Sequence, residues 1–464
     1  APPALADLRA VLVLPGGGEE PVPVVEGSGG SFTAKRRPPV RAKVVLGLLA
    51  AVVILWVTEA VPLFVSALFV PVVLVATRSS PARECLGSFF DPVVALFFGT
   101  VLAAAAARRA GLDSLAARSI IAWFGRGPLR LLAALMVASM FLSLWMSNTA
   151  AAALVLPVAL SASAPLGPGF RKAAVLGVAY AANAGGVGTL VGTPANLLAA
   201  RFLREYGDRT VTFTDWLGYG LPLALLLLPV SGVILWTWTR KDLGDRSGFA
   251  EARRAVLASA PAPAAGRWTV GAVLVATVVL WITEPAHGID AAIVGLGAAA
   301  TLAALNFVRK EDLGQLPWEA LLLFGSGIAL GSAVFASGAS DFIAVRLEAL
   351  QGLPPLVATG AIALLTLLLT AMASNTASAA IVIPLMFPLA GVLGVDPAVL
   401  VITAALASSV DFALVVGTPP TMMARATGAV TSREIFRAGI LVDLAALLIL
   451  VLVLPRIWSA LGLV

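Results

Sequence analysis

The sequence predicts an all-α polytopic membrane protein, built as an inverted repeat of five spans per half with re-entrant hairpins and broken helices. Three observations predict it. The 464 residues are 59% hydrophobic and only 12% charged, with a mean hydropathy of +0.98, whereas a soluble globular chain carries about 25% charged residues. Apolar runs near the roughly 20 residues needed to cross hydrocarbon recur throughout, and they are continuous and rich in Leu and Ala, unlike the alternating segments of a barrel. The third observation is a duplication. Ser147-Asn148-Thr149, within LWMSNTAAAALVLP, returns 227 residues later as Ser374-Asn375-Thr376, within AMASNTASAAIVIP. A Gly-Thr-Pro follows each copy, at Gly192-Thr193-Pro194 and Gly417-Thr418-Pro419.

The bulk numbers also exclude several classes. The net charge of +6 and pI near 10 come from basic residues that sit mainly between spans, where they set orientation rather than bind nucleic acid. One cysteine, Cys85, and one histidine, His287, leave no intrachain disulfide and no Cys or His cluster for a metal. The chain has no Walker motif, so an ion or substrate gradient must supply any energy. No signal peptide is evident from Ala1 onward.

Taken in order, residues 1–34 are Pro/Gly-rich and too broken to span, and read as a flexible tail or weakly ordered cap. With the basic cluster Lys35–Lys43 they make up a polar N-terminal segment, 1–42. Spans are expected at 43–60, 62–77 and 92–110, with an amphipathic interfacial stretch at 113–127. Residues 130–165 are interrupted by the first tripeptide and by Pro157. They form either one long span or a re-entrant hairpin with the tripeptide at its tip; the same shape at 355–390, interrupted by Ser374–Thr376 and Pro384, favours the hairpin. Residues 172–205 contain Gly185-Gly186-Val187-Gly188-Thr189 and then Gly-Thr-Pro, too much glycine and proline for an intact helix, so a break is expected near Gly192. A span at 217–240 ends the first repeat, 43–240, and 241–267 is the linker. The second repeat, 268–464, offers spans at 268–286, 288–306 and 317–338, the second hairpin, a broken span at 397–428 and a final span at 436–458.

Further pairs support the duplication. Trp56-Val57-Thr58-Glu59 matches Trp281-Ile282-Thr283-Glu284, and Phe98-Gly99 matches Phe324-Gly325, at offsets of 225 and 226 residues. Five crossings per half, an odd number, turn the second half upside down. If loops 108–130, 241–267, 307–316 and 424–437 are cytoplasmic, their excess of arginine obeys the positive-inside rule. The Lys35–Lys43 cluster then falls outside, against that rule.

Small polar residues are costly in hydrocarbon unless they bind something, so two matched copies imply a transporter with its substrate held between the halves. Ser147 and Asn148 with Gly192, and Asn375 with Gly417, can offer oxygens to a small hard cation. Thr149, Thr376 and Thr193 or Thr418 can donate hydrogen bonds to an anion, aided by helix N-termini. Neither motif holds a Lys or Arg, so an anionic substrate would need helix dipoles or co-bound cations, which favours cation coupling. The alternative role for these residues is helix packing. Glu59 and Glu284 read as helix-end hydrogen-bonding groups, with a gating role as the alternative. Asp411, which faces Gly186 in the repeat alignment, can pair with a base, bind a cation or titrate. His287 reads as a loop-end hydrogen-bonding group, and Arg108 and Arg109 as interface markers. A channel would need a continuous pore, which hairpins block, and an intramembrane enzyme would need a nucleophile–base pair that the chain lacks.

The chain resembles the divalent anion/sodium symporter family, the INDY-type dicarboxylate and citrate carriers, over roughly residues 45–460. The resemblance lies in WVTEAVPL at 56–63, both Ser-Asn-Thr motifs, GGVGTLVGTPAN at 185–196, WITEPAHGID at 281–290 and VVGTPPT at 415–421. It implies a homodimer in the bacterial inner membrane. Each protomer would have a scaffold part and a transport part, the latter holding hairpins and broken helices and moving as an elevator. It implies one sodium site at Ser143, Ser147, Asn148 and Gly192, and a second at Thr370, Ala373, Asn375 and Gly417. Substrate carboxylates would meet Asn148, Thr149, Asn375 and Thr376, with Thr418 and Pro419 nearby. The implied cargo is a C4 dicarboxylate (succinate, malate or fumarate) imported with two or more sodium ions and no organic cofactor. The family also contains sodium-independent di- and tricarboxylate exchangers, and sulfate is a further possible cargo. This chain departs from the pattern at Thr421, where Asn is usual and where the first half has Asn196, and in lacking a recognisable first helix within 1–34.

Overall fold

The computed structural model describes residues 9–13, 19–26, 32–34, 40–124, 127–239 and 266–464. The linker expected at 241–267 lies outside these residues except for Gly266 and Arg267, as does most of the Lys35–Lys43 cluster.

Residues 1–34 depart from expectation. Instead of a tail they contain a three-stranded antiparallel meander: β1 (Arg9–Val13), β2 (Glu19–Glu26) and β3 (Phe32–Ala34). Arg9 pairs with Pro23, and Val24 with Ala34. The all-α description therefore holds from residue 40 onward. Hydrophobic alternation in strands of three to eight residues is a weak signal beside a spanning helix, and Pro21 and Pro23 inside the central strand β2 hide it further, since proline argues against a central strand.

From residue 40 the described chain is helical. The first half contains α1 (Val40–Thr58), α2 (Leu63–Ala76), α3 (Pro92–Arg109), α4 (Leu112–Phe124), α5 (Pro128–Ser143), α6 (Asn148–Ser163), α7 (Pro168–Gly186), α8 (Pro194–Tyr206) and α9 (Phe213–Thr239). The second contains α10 (Arg267–Ile282), α11 (Ala291–Ala304), α12 (Trp318–Ala336), α13 (Ala339–Leu347), α14 (Pro355–Met372), α15 (Asn375–Leu393), α16 (Pro397–Ala407), α17 (Pro419–Ala426) and α18 (Ser432–Leu448), with short helices between some of them. The order repeats element for element. Eight helical stretches among the described residues are long and apolar enough to cross a membrane.

The repeated motifs do matched work. Trp56 Nε1 donates to Ser66 and Trp281 Nε1 to the Ala291 carbonyl, each at 3.0 Å and each ten residues on. Thr58 and Thr283 hydroxyls both donate back one turn, at 2.7 Å. Trp-x-Thr-Glu therefore ends one helix and ties it to the next. Gly99 has a backbone role: a Cβ there would lie 2.7 Å from the Gly295 carbonyl carbon, so its absence lets α3 and α11 touch. Phe97 and Phe324 meet edge to face beside it, centroids 5.4 Å apart.

Helix starts follow from their caps. Asp91, Asp290 and Asp396 each accept the amide two residues on, at 2.8–3.1 Å, and proline follows Asp91 and Asp396 where no amide donor is lost. In the last span a π turn at Ile449–Val453 precedes Pro455, since proline lacks the amide that would continue the α pattern.

The halves interlock crosswise. In the first half the short arm α8 packs against α15 and α16; in the second, α17 packs against α6 and α7. Each broken helix thus leans its short arm on the other half's hairpin and longer arm.

Candidate functional site

The two tripeptides have the same local geometry. In each, serine caps the following helix: Ser147 Oγ accepts from the Ala150 amide at 3.3 Å and Ser374 Oγ from the Ala377 amide at 3.4 Å. The asparagine is the first helical residue, and its side-chain oxygen is held by a hydroxyl five residues earlier. Ser143 Oγ donates to Asn148 Oδ1 and Thr370 Oγ1 to Asn375 Oδ1, both at 2.7 Å. Both donors are fully buried. The chain turns between α5 and α6 over Leu144–Ser147, and between α14 and α15 over Ala373 and Ser374, so each tripeptide sits where two helices meet end to start.

The Gly-Thr-Pro segments break the helices as expected. α7 stops at Gly186 and α8 starts at Pro194, while α16 stops at Ala407 and α17 starts at Pro419. Thr193 and Thr418 precede the prolines in extended conformation, as a residue before proline prefers. The first break is stapled by Asn196, whose Nδ2 donates to the Gly186 carbonyl at 3.1 Å and the Thr189 carbonyl at 2.7 Å. Thr421 takes that role in the second half, its one hydroxyl proton lying within reach of the Leu414, Val415 and Thr418 carbonyls at 2.7–3.3 Å. The substitution at 421 therefore keeps the staple with a shorter side chain.

Tripeptide and break meet in the first half. A Cβ on Gly186 would lie 2.3 Å from Asn148 Oδ1, and one on Gly192 would lie 2.2 Å from the Gly186 carbonyl. Thr189 Oγ1 adds a bond to the Leu144 carbonyl at 2.6 Å, tying break to hairpin tip. In the second half the Thr370 hydroxyl also lies 2.6 Å from the Ser408 carbonyl, just past the end of α16, so its one proton is shared between that carbonyl and Asn375 Oδ1. The glycine at 417 has a different neighbour: a Cβ there would meet Asp411 Oδ2.

The breaks also meet each other. Asn183 Nδ2 donates to Thr418 Oγ1 at 2.8 Å and to the Asp411 carbonyl at 3.3 Å. In return the Ser409 and Thr193 hydroxyls are 3.3 Å apart. Asn183 on the longer arm α7 and Ser409 just past the end of α16 thus each reach the threonine of the opposite Gly-Thr-Pro.

Of the sequence-predicted positions, Ser143, Asn148 and Gly192 converge around Gly186, and Thr370 holds Asn375. Ala373 is the buried, extended residue that ends α14. Ser147, Thr149 and Pro419 are exposed, Asn148, Asn375 and Gly417 half-buried, and Thr376 and Thr418 buried. Thr149 thus faces open space and Thr376 does not. The donor sets are all hard oxygens on close-packed backbone, which fits a small hard cation such as sodium. No group of three or more His, Cys, Asp or Glu occurs among the described residues.

Asp411 pairs with no base among the described residues, and accepts a long bond from the Leu414 amide at 3.5 Å. His287 is a loop-end group, bonded to the Leu280 carbonyl and the Ile289 amide at 2.9 Å each. Arg109 forms a bidentate pair with Asp312, at 2.8 and 2.9 Å, which joins the halves.

Sequence reasoning missed Asn183, Ser409 and Asp443. Asp443, buried on the last span, accepts the Phe412 and Ala413 amides at 2.9 and 3.1 Å and so holds open the second break. An acid within an apolar span was its available signal; Asn183 had the weaker one of a lone amide just before Gly185-Gly186.

A family model described as a citrate transporter matches residues 53–384 and 278–462. A sodium-dependent dicarboxylate transporter of Staphylococcus saprophyticus is 28% identical over 433 residues, covering 86% of this chain and 82% of that protein. A transporter of Haemophilus influenzae described as uncharacterized is 32% identical over 421 residues, 87% of this chain and 89% of that one. Among solved structures, the YdaH transporter of Alcanivorax borkumensis aligns with a TM-score of 0.60 at 17% identity, covering 91% of this chain and 99% of that one. The MtrF structure from Neisseria gonorrhoeae gives 0.58 at 14%, covering 90% and 95%. At these identities the structures speak to the fold alone.

Proposed function

The chain belongs to the citrate-transporter family of dicarboxylate and citrate carriers, and on that premise we propose that it is a multi-pass inner-membrane carrier importing C4 dicarboxylates with sodium. Succinate, malate and fumarate are the proposed cargo. The supporting observation is the matched pair of bonds, Ser143 to Asn148 and Thr370 to Asn375, both 2.7 Å and 227 residues apart. Two identical oxygen-rich corners suit two like cations, and the helix N-termini beside them suit the two carboxylates of one substrate.

In this reading Ser143, Ser147, Asn148 and Gly192 hold one sodium ion, and Thr370, Ala373, Asn375 and Gly417 the other. Bound sodium supplies positive charge next to a dianion in a site without Lys or Arg. Asn148, Thr149, Asn375 and Thr376 orient the carboxylates, with Thr418 and Pro419 beside them. Repeats 43–240 and 268–464 lie inverted about this site, and hairpins and broken helices move together against the remaining helices within each protomer of a homodimer. The crosswise packing of α8 and α17 favours such joint movement, since it makes the two hairpins and two broken helices one packed unit.

The test is uptake of labelled succinate into proteoliposomes, with and without an inward sodium gradient and with and without internal succinate. Uptake that requires external sodium and no internal substrate is expected. Uptake that ignores sodium and requires internal dicarboxylate would replace this reading with exchange. Failure with succinate but uptake of citrate or sulfate would replace the substrate.

A further inference from the structure

A cavity of about 460 Å³ lies between α3, α4, α5, α10 and α11, and none of the proposed sodium or substrate residues lines it. Small residues leave the space: Ala103 and Ala107 of α3, Gly271 of α10 and Ala298 of α11. The walls are apolar, formed in part by Phe141 and Trp145 of the first hairpin and by Leu274 and Val278 of α10. Its two threonines spend their hydroxyls on their own helices, Thr100 on the Phe97 carbonyl and Thr277 on the Val273 carbonyl, both at 2.8 Å. Water finds too few partners in such a space, and a void forfeits the contacts of its lining. A dianionic substrate fits it no better.

The cavity opens sideways. Phe141, Val275 and Val279 line it and are also exposed on the outside of a membrane-spanning chain, so hydrocarbon reaches it directly. One end is polar. Arg108 follows the lining residues Ala104 and Ala107 on α3, and Arg267 lies one turn before Gly271 on α10. The two helix ends meet there: Arg267 Nε donates to the Ala110 carbonyl at 3.1 Å, and a Cβ on Gly111 would lie 3.2 Å from Arg267 Nη2. Trp268, beside Arg267, is 82% exposed, as suits a tryptophan at the level of the headgroups. Asp113 lines the cavity and accepts the Ser114 amide at 2.6 Å. Arg108 acts through its charge on Asp113 and on Asp312, which Arg109 already pairs. Arg108, Arg109 and Arg267 thus outnumber the two acids, and the excess is positive.

We propose that this cavity is a lipid site: one acyl chain of an anionic phospholipid fills it, and the phosphate of the same molecule meets Arg108 and Arg267. Hydrocarbon gains little by leaving one apolar medium for another, so selectivity comes from the headgroup, and basic pockets between spanning helices suit anionic heads. The site lies on the boundary between the first hairpin and the helices proposed to stay, so a seated chain favours the conformation in which the cavity is open. That consequence rests on the carrier reading above; the binding does not.

The probe is phosphatidylglycerol carrying a photoreactive diazirine in one acyl chain, at trace level in phosphatidylcholine vesicles holding the purified full-length protein. Labelling is expected at cavity-lining residues of α5 and α10, displaced by unlabelled phosphatidylglycerol and not by phosphatidylethanolamine. Gly271→Leu fills the cavity from within: a Cβ there meets nothing nearer than Leu112 Cδ2 at 3.8 Å, and leucine suits a helix better than glycine. This variant is expected to keep its Tm and lose the labelling. Arg108→Gln is expected to weaken displacement by phosphatidylglycerol about fivefold, the worth of one arginine near an anionic surface, and it decides alone if Gly271→Leu does not fold. Labelling spread evenly over the lipid-facing helices, or undiminished in Gly271→Leu, would overturn the site. Equal displacement by phosphatidylethanolamine, or an unchanged affinity in Arg108→Gln, would overturn the anionic headgroup. Succinate uptake in the same vesicles keeps the two readings apart, since selective labelling without uptake would remove the carrier reading and leave the lipid site.

Discussion

Asn148 Oδ1 takes the proton of the buried Ser143 hydroxyl, and Asn375 Oδ1 shares that of Thr370 with the Ser408 carbonyl, which leaves each amide nitrogen for a substrate oxygen. Replacing either with alanine removes both functions while leaving the helix start intact, because the cap belongs to Ser147 or Ser374. Asn148→Ala and Asn375→Ala are expected to abolish succinate uptake while the purified protein keeps its elution volume and helical content. Normal uptake by both would remove these residues from the site. The glycines separate by what surrounds them. A Cβ on Gly192 meets backbone at 2.2 Å, whereas one on Gly417 meets the end of the Asp411 side chain, which can rotate away. Gly192→Ala should therefore lose nearly all transport and Gly417→Ala only part of it, as initial uptake rates would reveal. Equal losses would mean that the first break is softer than its contacts indicate.

At the scale of the element, both helix breaks were legible because glycine and proline change what the backbone can do, and they do so at fixed distance from a repeated tripeptide. Asn183 and Asp443 were not, since a single polar residue in an apolar helix has no spacing to reveal its partner, and neither was Ser409, which lies in the break itself just past the end of α16. The strands before residue 40 were hidden by their own prolines. The α3 end shows a similar limit: Arg109 was legible as an interface residue, but its partner lay 203 residues away in a short helix, Lys310–Leu313. Asp312 is nearly buried, which by itself raises a carboxyl pKa. The Arg309 amide and the Arg109 guanidinium outweigh that and hold it below the usual carboxylate range. The pair therefore stabilises the fold fully above the unfolded value, about pH 4, and its contribution fades as pH falls through the lower folded value. Asp312→Asn should cost about 1.5–3 kcal/mol near neutrality, as for a lost hydrogen bond to a charged group. The gap in Tm from wild type should narrow in acid; a constant gap would show that the charge contributes nothing.

For the whole molecule, the question is which contacts must break if hairpins and broken helices travel together. α8 belongs to the unit proposed to move, yet two of its arginines pair with the caps of helices proposed to stay. Arg201 pairs with Asp91, before α3, at 3.1 Å, and Arg204 with Asp290, before α11, at 3.5 Å. The first pair is almost fully enclosed, and such a pair is costly to part unless water reaches both charges. An elevator must separate or exchange both pairs in every cycle, whereas a carrier that only opens and closes its hairpin tips would leave them alone. Arg204→Cys with Asp290→Cys, in a Cys85→Ser background, would place two thiols across this boundary. Bridging them with a short bifunctional thiol reagent should abolish uptake, and a reducible reagent should allow recovery after reduction. Each single-cysteine variant should be indifferent to the same treatment. Full uptake by completely cross-linked protein would show that α8 does not move relative to α11, and the alternating exposure of the site would have to come from the hairpin tips alone.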